Sequence, residues 1–165
     1  MGNWLIIWNC LLIVGQIIIL KKDFKPVQLL QLPLSFIFGN FIDLCVSFVS
    51  SVTVDSYPMK IVFVILGVIV LAFGVSLVVT ANVIMNSGEA FVKAVADKTG
   101  KNFGTVKTIF DVGCVTIAVV ASLIFFDMKV VGVREGTLIV SLCTGSVVRF
   151  SNRFITKPLN KILTK

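Results

Sequence analysis

Eight polar or charged side chains stand in or beside long apolar segments, and their types suit the binding of a small solute. They comprise carboxylates, amides, a guanidinium and a hydroxyl, which together donate and accept hydrogen bonds and carry both signs of charge. Polar groups at membrane depth are costly, so each is a candidate for a functional role. We therefore predict substrate-binding positions at Asp43, Asn82, Asn86, Glu89, Asp111, Arg134, Glu135 and Thr137.

Four of these residues are expected near one membrane face. Asn82, Asn86 and Glu89 follow the third apolar segment closely, and Asp111 lies one to two turns into the fourth. A helix that starts near residue 87 would offer partial positive charge to an anion there. The same residues also suit the capping and solvation of a break between two helices. The sequence leaves both interpretations open.

The densest polar motif is Gly-Val-Arg-Glu-Gly-Thr at residues 132–137. Arg134 either pairs with Glu135 or receives an anion, and Glu135 or the Thr137 hydroxyl can satisfy free backbone amides at a helix start. A turn and a substrate contact fit equally well.

Two further charged residues lie within the apolar segments. Asp43 either binds solute or only positions its helix, by pairing with another charge or by reaching the outer interface. Arg149, near the inner end of the last helix, is typical of a side chain that snorkels to the interface.

Several function classes find no support in the residue types. The chain has no histidine, no convincing carboxylate pair and no glycine-rich phosphate loop, so we expect no enzyme and no cofactor. The four cysteines lack Cys-x-x-Cys spacing and lie in apolar stretches. We expect them to be small buried hydrophobes rather than metal ligands or disulfides. They are Cys10, Cys45, Cys114 and Cys143.

The elements that position these residues are apolar helices. The chain is 57% hydrophobic and 14% charged, with a mean hydropathy of +1.04, which excludes an ordinary soluble domain. About 20 residues of helix cross the hydrocarbon core. We predict an all-α polytopic membrane protein with five transmembrane helices, near residues 3–20, 28–50, 60–84, 104–126 and 133–150. The whole chain, 1–165, is expected to form a single membrane domain.

A short amphipathic helix is predicted between the third and fourth spans. Ser87 is a candidate N-cap, Glu89 suits the first turn, and Gly100 is a candidate C-cap after about Lys98. Glu89, Lys93 and Asp97 are spaced four residues apart on one face. The helix is too short to span a membrane. It is expected to lie on the cytoplasmic interface or to cap the bundle.

The distribution of basic residues predicts an orientation. With the N-terminus outside, the cytoplasmic segments hold twelve of the fifteen Lys and Arg residues, in groups at 21–25, 93–107 and 149–165. The positive-inside rule therefore favours N-out and C-in. The net charge of +7 fits this topology and contact with anionic headgroups of the lipid bilayer. Nucleic acid is not an expected partner, because no aromatic-rich basic groove accompanies the charge.

The two ends of the chain resemble each other weakly but continuously, residues 104–150 against residues 2–44. Matching helices cross the membrane in opposite directions, so the unit is an inverted repeat. Residues 1–50 form a partial first repeat, 60–150 the second, and 151–165 a basic cytoplasmic tail. The first repeat is incomplete if each carried the same helix and amphipathic segment, and a truncated start is expected. Gly104 aligns with Gly2, Asp111 with Asn9, Gly145 with Gly39, and Arg149 with Asp43.

Several runs resemble the YitT/YczE family of bacterial integral membrane proteins. They are Gly-Glu-Ala-Phe at 88–91, Lys-Thr-Gly at 98–100, Phe-Gly at 103–104, Val-Gly-Val-Arg-Glu-Gly-Thr at 131–137 and Phe-Gly-Asn-Phe-Ile-Asp-Leu at 38–44. The resemblance covers about residues 30–150. It implies a location in the bacterial cytoplasmic membrane and a fold that usually has six helices. It implies little about a substrate.

Two functions remain in competition on the sequence. The inverted repeat and the polar set favour a transporter-like or permease-like protein for a small solute. The basic tail and the amphipathic helix also suit a non-transporting accessory protein that scaffolds or regulates a membrane partner. An incomplete repeat would expose a helix face that normally packs against protein, so we also expect homo-oligomerisation or instability.

Overall fold

The described residues of the chain form helices joined by short turns and irregular segments, and no strand occurs among them. The computed structural model describes the backbone of residues 2–24, 26–50, 54–82, 84–125 and 132–163, with side chains from residue 7 to residue 155 within those ranges. The α-helices are α1 (Gly2–Leu20), α2 (Gln31–Val49), α3 (Tyr57–Ala81), α4 (Ser87–Thr99), α5 (Phe103–Phe125) and α6 (Glu135–Leu163). Short 3-10 helices at Lys21–Asp23 and Pro26–Leu30 join α1 to α2. The all-α prediction is confirmed.

Three helical segments in the described part of the chain are long and apolar enough to cross a membrane. They are Pro26–Val49, Tyr57–Ala81 and Phe103–Phe125. By length and composition, the structure therefore supports three of the five predicted spans. The side chains of α1 are described only from Ile7 onwards, and α6 carries Glu135, Arg149 and Arg153 along its length.

Two predicted helix ends are wrong. The last helix was expected to end near residue 150, but α6 continues without a break to Leu163. The third was expected to reach residue 84, but α3 ends at Ala81 because Asn82 takes a left-handed conformation, with φ of 51°. The predicted stop at Gly100 is confirmed, since this residue caps α4 with φ of 65°.

Helix α4 packs between other helices of the bundle. It packs against α1 on one side and α5 on the other, with smaller contacts to α2 and α3. Val92 and Ala96 of α4 are buried in the core with Ala72 of α3, Val106 of α5 and Val148 of α6. This packing fits the cap of the bundle, one of the two positions predicted for the amphipathic helix. Its Lys93 and Asp97 form the expected ion pair, at 3.0 Å.

Helices α5 and α6 cross with their backbones in close contact. A Cβ atom built on Gly104 would lie 2.8 Å from Cβ of Arg149, and one built on Gly145 would lie 2.9 Å from the backbone nitrogen of Thr108. Small residues permit such close approach. Gly39, Gly67, Gly74 and Gly113 differ from this pair, because a Cβ built on any of them would meet no atom within 4 Å.

Helix α2 is peripheral. It contacts α1 and α4 only slightly, whereas α6 packs extensively against α3 and α5. No residue of α2 after Gln31 is buried, and its exposed side chains are mostly apolar. The part of the bundle with the tightest core thus lies in α3 to α6, and α1 joins it through α4.

Candidate functional site

A buried network of uncharged polar side chains joins α1, α2 and α4. Gln16 and Gln31 are 0% and 1% exposed, and their amides form a reciprocal pair in which each Nε2 donates to the other's Oε1 at 3.1 Å. Gln16 Nε2 also donates to the backbone oxygen of Ser87 at 3.2 Å. Two side-chain amides placed in this way satisfy each other, which removes most of the cost of burying them. The pair fixes α1, α2 and the start of α4 relative to one another.

The N-terminus of α4 extends this network. Asn86 is the N-cap, and its Oδ1 accepts the backbone N–H of Ser87 at 2.9 Å and the hydroxyl of Ser35 at 2.6 Å. We predicted that Ser87 would be the cap, and that is wrong. Ser87 is fully buried as the first helical residue, and its hydroxyl donates to Oδ1 of Asn9 instead. Asn86 thus acts as both a helix cap and a link between α2 and α4.

A small cleft lies beside this network. It has a volume of ≈ 90 Å³, and its wall includes Gln31, Asn82, Met85, Lys93 and Asp97. Lys93 and Asp97 neutralise each other across one turn of α4. Amide groups and one ion pair therefore face the cleft. Such a lining offers donors and acceptors without a large excess of charge.

A second polar group joins α4 to α5. Lys107 Nζ lies 2.9 Å from Oδ1 of Asp111 and 3.8 Å from Oε1 of Glu89. All three side chains are largely buried, so two carboxylates share one cation in a region with little water. The cluster carries a formal charge of −1. The structure thus brings Glu89 and Asp111 together as predicted, through a lysine that was not among the predicted site residues.

The aligned positions Asn9 and Asp111 both belong to polar groups that involve the start of α4. Asn9 of α1 accepts the Ser87 hydroxyl, and Asp111 of α5 shares Lys107 with Glu89. A related pattern occurs in the apolar contacts. The ring of Phe91 packs on Gly15 of α1, and it also meets Phe110 of α5 with ring centroids 5.5 Å apart.

The predicted motif at residues 132–137 lies far from these groups. Residues 103 and 125 are the two ends of α5, which is about 34 Å long at 1.5 Å per residue. Arg134 and Glu135 are exposed and follow the end remote from α4. The backbone N–H of Arg134 donates to Oγ1 of Thr137 at 3.5 Å, so Thr137 helps to start α6. Of the two interpretations of this motif, the geometry supports a turn at the start of α6 rather than a substrate contact.

Asp43 does not join any of the polar groups described above. It lies on the exposed surface of α2, twelve residues after Gln31 and thus about 18 Å further along the helix. The predicted eight residues therefore separate into four places. Asn82 and Asn86 lie near the cleft, Glu89 and Asp111 form the ionic cluster, Asp43 is on the outer face of α2, and Arg134, Glu135 and Thr137 start α6.

The sequence did not point to Gln16 and Gln31, the largest fully buried side chains among the described residues. Each has one detectable signal, an amide within or beside a long uncharged stretch. The expected burial of the cysteines is wrong, because Cys10, Cys45 and Cys143 are exposed on helix surfaces and only Cys114 is partly buried.

The fold defines the class of the protein as an all-helical bundle with three segments fit to cross a membrane. A family model matches residues 1–153, and its description is a family of unknown function, DUF6198. Because this match covers nearly the whole chain, the protein belongs to that family. Comparisons with curated proteins and with solved structures found no match.

Proposed function

We propose that this is a non-enzymatic integral membrane protein that passes a small polar solute, with its binding site at the cleft beside Gln31. The observation that carries the proposal is the buried Gln16–Gln31 amide pair, because one of its members forms part of the cleft wall. Polar side chains buried between helices of a membrane protein either hold those helices together or belong to a solute pathway. Helix breaks with free backbone groups also belong to solute pathways in transporters, and here α3 ends at Ala81 before α4 begins at Ser87.

The size and lining of the cleft indicate the class of solute. Sites for drug-sized ligands usually measure about 300–1,000 Å³, so a cleft of ≈ 90 Å³ suits a solute of only a few heavy atoms. Asn82 supplies an exposed amide, Gln31 lines the wall with an amide already paired to Gln16, and Lys93 and Asp97 supply one charge of each sign. An uncharged or zwitterionic solute matches this lining better than a multiply charged one, whose charge would stay uncompensated.

Three further features support the proposal. The sequence repeat places Asn9 and Asp111 at equivalent positions, and both contribute to polar groups that involve the first turn of α4. The resemblance to the YitT/YczE family favours a bacterial cytoplasmic membrane and an inverted-repeat fold. The distribution of basic residues favours N-out and C-in, with α4 on the cytoplasmic side. On this topology the cleft opens towards the cytoplasm.

Reconstitution tests the proposal. The purified protein in liposomes should give saturable uptake of at least one solute from a panel of small neutral and zwitterionic compounds. Asn82→Gly should lower that uptake several-fold, because it removes the cleft amide while glycine keeps the left-handed φ of 51° without strain. Asn40→Ala is the matched control, since Asn40 is an exposed amide on α2 whose Nδ2 bonds only the Phe36 carbonyl of its own helix. No saturable uptake or binding across the panel would refute the proposal.

A second function is favoured by helix α2. Its exposed surface is apolar beyond Gln31 but carries Asp43, and a carboxylate on a lipid-facing surface is costly unless another chain covers it. This surface supports an accessory role in which α2 docks on a membrane partner. Crosslinking from a photoreactive residue at position 43 in native membranes tests it. A single stoichiometric partner supports scaffolding, and crosslinks to lipid alone contradict it.

A further inference from the structure

A groove that shares no lining residue with the cleft has an unusual lining. It lies between the start of α5 and one face of α6, and its volume is ≈ 610 Å³. Ser146, Arg149, Phe150 and Arg153 share that face of α6 because they stand at positions i, i+3, i+4 and i+7. Asn102 closes the groove from the side of α5. The volume falls in the range of small-ligand sites, about 300–1,000 Å³.

The polar groups that line this groove are two guanidiniums, the side-chain amides of Asn102 and Asn152, and the hydroxyl of Ser146. Arg149 and Arg153 are exposed guanidiniums that form no ion pair within the part of the chain the structure describes. Asn102 uses its Oδ1 to accept the backbone N–H of Gly104 at 2.9 Å, so its remaining polar group is the Nδ2 donor. None of the described lining residues is acidic. Two guanidiniums one turn apart, beside an amide and a hydroxyl, fit the oxygens of a phosphate group.

Two observations identify the phosphate as that of a lipid. The groove adjoins Phe103, the first residue of a segment fit to span a membrane, and the packing of Gly104 against Arg149 places both helices at that same level. It therefore lies at the depth where headgroups would be. Phe150 lines the groove and packs against Phe154, with ring centroids 5.0 Å apart and ring planes tilted by 60°, and both residues are 63% exposed. An exposed aromatic wall suits acyl chains and the interface, and a soluble phosphate would leave it uncovered.

We propose that the groove formed by Asn102, Ser146, Arg149, Phe150 and Arg153 binds the phosphate of an anionic membrane lipid. The guanidiniums hold the phosphate oxygens, and Phe150 and Phe154 contact the glycerol and upper acyl region. The site is separate from the cleft beside Gln31, so it does not depend on transport. An anionic lipid bound here would join α5 to α6 at their crossing.

The test measures lipid binding to the purified full chain in a mild neutral detergent, by native mass spectrometry. The probes are dioleoyl phosphatidylglycerol, dioleoyl phosphatidylcholine and inorganic phosphate. The test variant is Arg149→Gln with Arg153→Gln. The matched control, Lys60→Gln with Arg134→Gln, removes the same charge from exposed residues in the regions where α3 and α6 begin. The single variant Arg153→Gln, away from the Gly104 contact, serves if the double variant does not fold.

The expected result is that the test variant binds phosphatidylglycerol about thirtyfold more weakly, because each of the two basic residues contributes about 1 kcal/mol to contact with anionic lipid. Arg153→Gln alone should weaken it about fivefold, and the control pair should change it less than twofold. Phe154→Ala should weaken phosphatidylglycerol and leave inorganic phosphate unchanged. The proposal would be overturned if the test and control pairs lost phosphatidylglycerol binding equally, or if the protein bound phosphatidylcholine as tightly as phosphatidylglycerol. Displacement of the lipid by millimolar inorganic phosphate would assign the site to a soluble ligand and also overturn it.

Discussion

The contact between α5 and α6 predicts opposite effects for the same substitution at two glycines. Gly145→Ala places a methyl group against the Gly104 carbonyl and 2.9 Å from the backbone nitrogen of Thr108. These are backbone atoms of a packed helix, so the two helices must separate. Gly113→Ala adds the same methyl group on α5, where no atom lies within 4 Å. The first change is therefore expected to destabilise the protein and the second to stabilise it.

The magnitude follows from two opposing terms. Replacing a helical glycine with alanine gains about 1 kcal/mol of helix propensity at either position. Overpacking costs about 1–3 kcal/mol, and the upper end applies to Gly145 because backbone cannot move as a side chain does. The net destabilisation of Gly145→Ala is then about 2 kcal/mol, while Gly113→Ala stabilises by about 1 kcal/mol. For a chain of this size the melting temperature should fall by about 4–8 °C and rise by about 2–4 °C respectively.

Thermal unfolding of the detergent-solubilised protein, followed by far-ultraviolet circular dichroism, measures both shifts. The two variants share the residue change, the helical context and the detergent, so the difference between them reports the packing contact. An unchanged or raised melting temperature for Gly145→Ala would show that the helices do not approach as closely as described. A loss of stability in Gly113→Ala as large as that in Gly145→Ala would remove packing as the explanation.

Three further predictions concern the polar groups and one backbone position. Gln16→Leu and Gln31→Leu should each lower the free energy of unfolding by about 1–3 kcal/mol, because the remaining amide is left unsatisfied. In a double-mutant cycle measured by thermal unfolding, the double variant should lose less stability than the sum of the two single losses. Lys107→Met leaves two carboxylates without their shared cation and should lower the free energy of unfolding by about 2 kcal/mol. Adding Asp111→Asn should restore a large part of that stability, whereas additive losses in thermal unfolding would contradict the shared ion pair. Lys21→Gly should raise stability by about 1 kcal/mol, measured by the melting temperature, because Lys21 has φ of 48° and glycine adopts it without strain.

The helical class of the protein was predictable because it depends on composition and length. Long uncharged segments must form helices if they enter a membrane, since no other backbone in one segment satisfies its own hydrogen bonds. The stop at Gly100 and the ion pair of Lys93 with Asp97 were predictable for a similar reason. Both depend on residues within one or two turns of each other.

The residues of the cleft and the network were only partly predictable. Asn82, Asn86, Glu89 and Asp111 stand out because they are polar and near helix ends. Their partners do not stand out. Lys107 carries an ordinary interfacial charge in the sequence, and only the packing of α4 on α5 gives it two carboxylates. The motif at 132–137 drew attention by its density, but its residues serve the start of α6.

The sequence by itself determined that the chain is helical and apolar, that α4 is short and capped, and where most helices begin and end. These properties come from local hydrogen bonding and from the transfer of side chains out of water, both of which act over a few residues. Only the tertiary structure decided that Gln16 meets Gln31, that Gly145 faces Gly104 while Gly113 faces nothing, and that Arg149 and Arg153 border a groove with Asn102. The physical reason is that each of these pairings depends on how two separate helices are placed, and no local interaction fixes that placement.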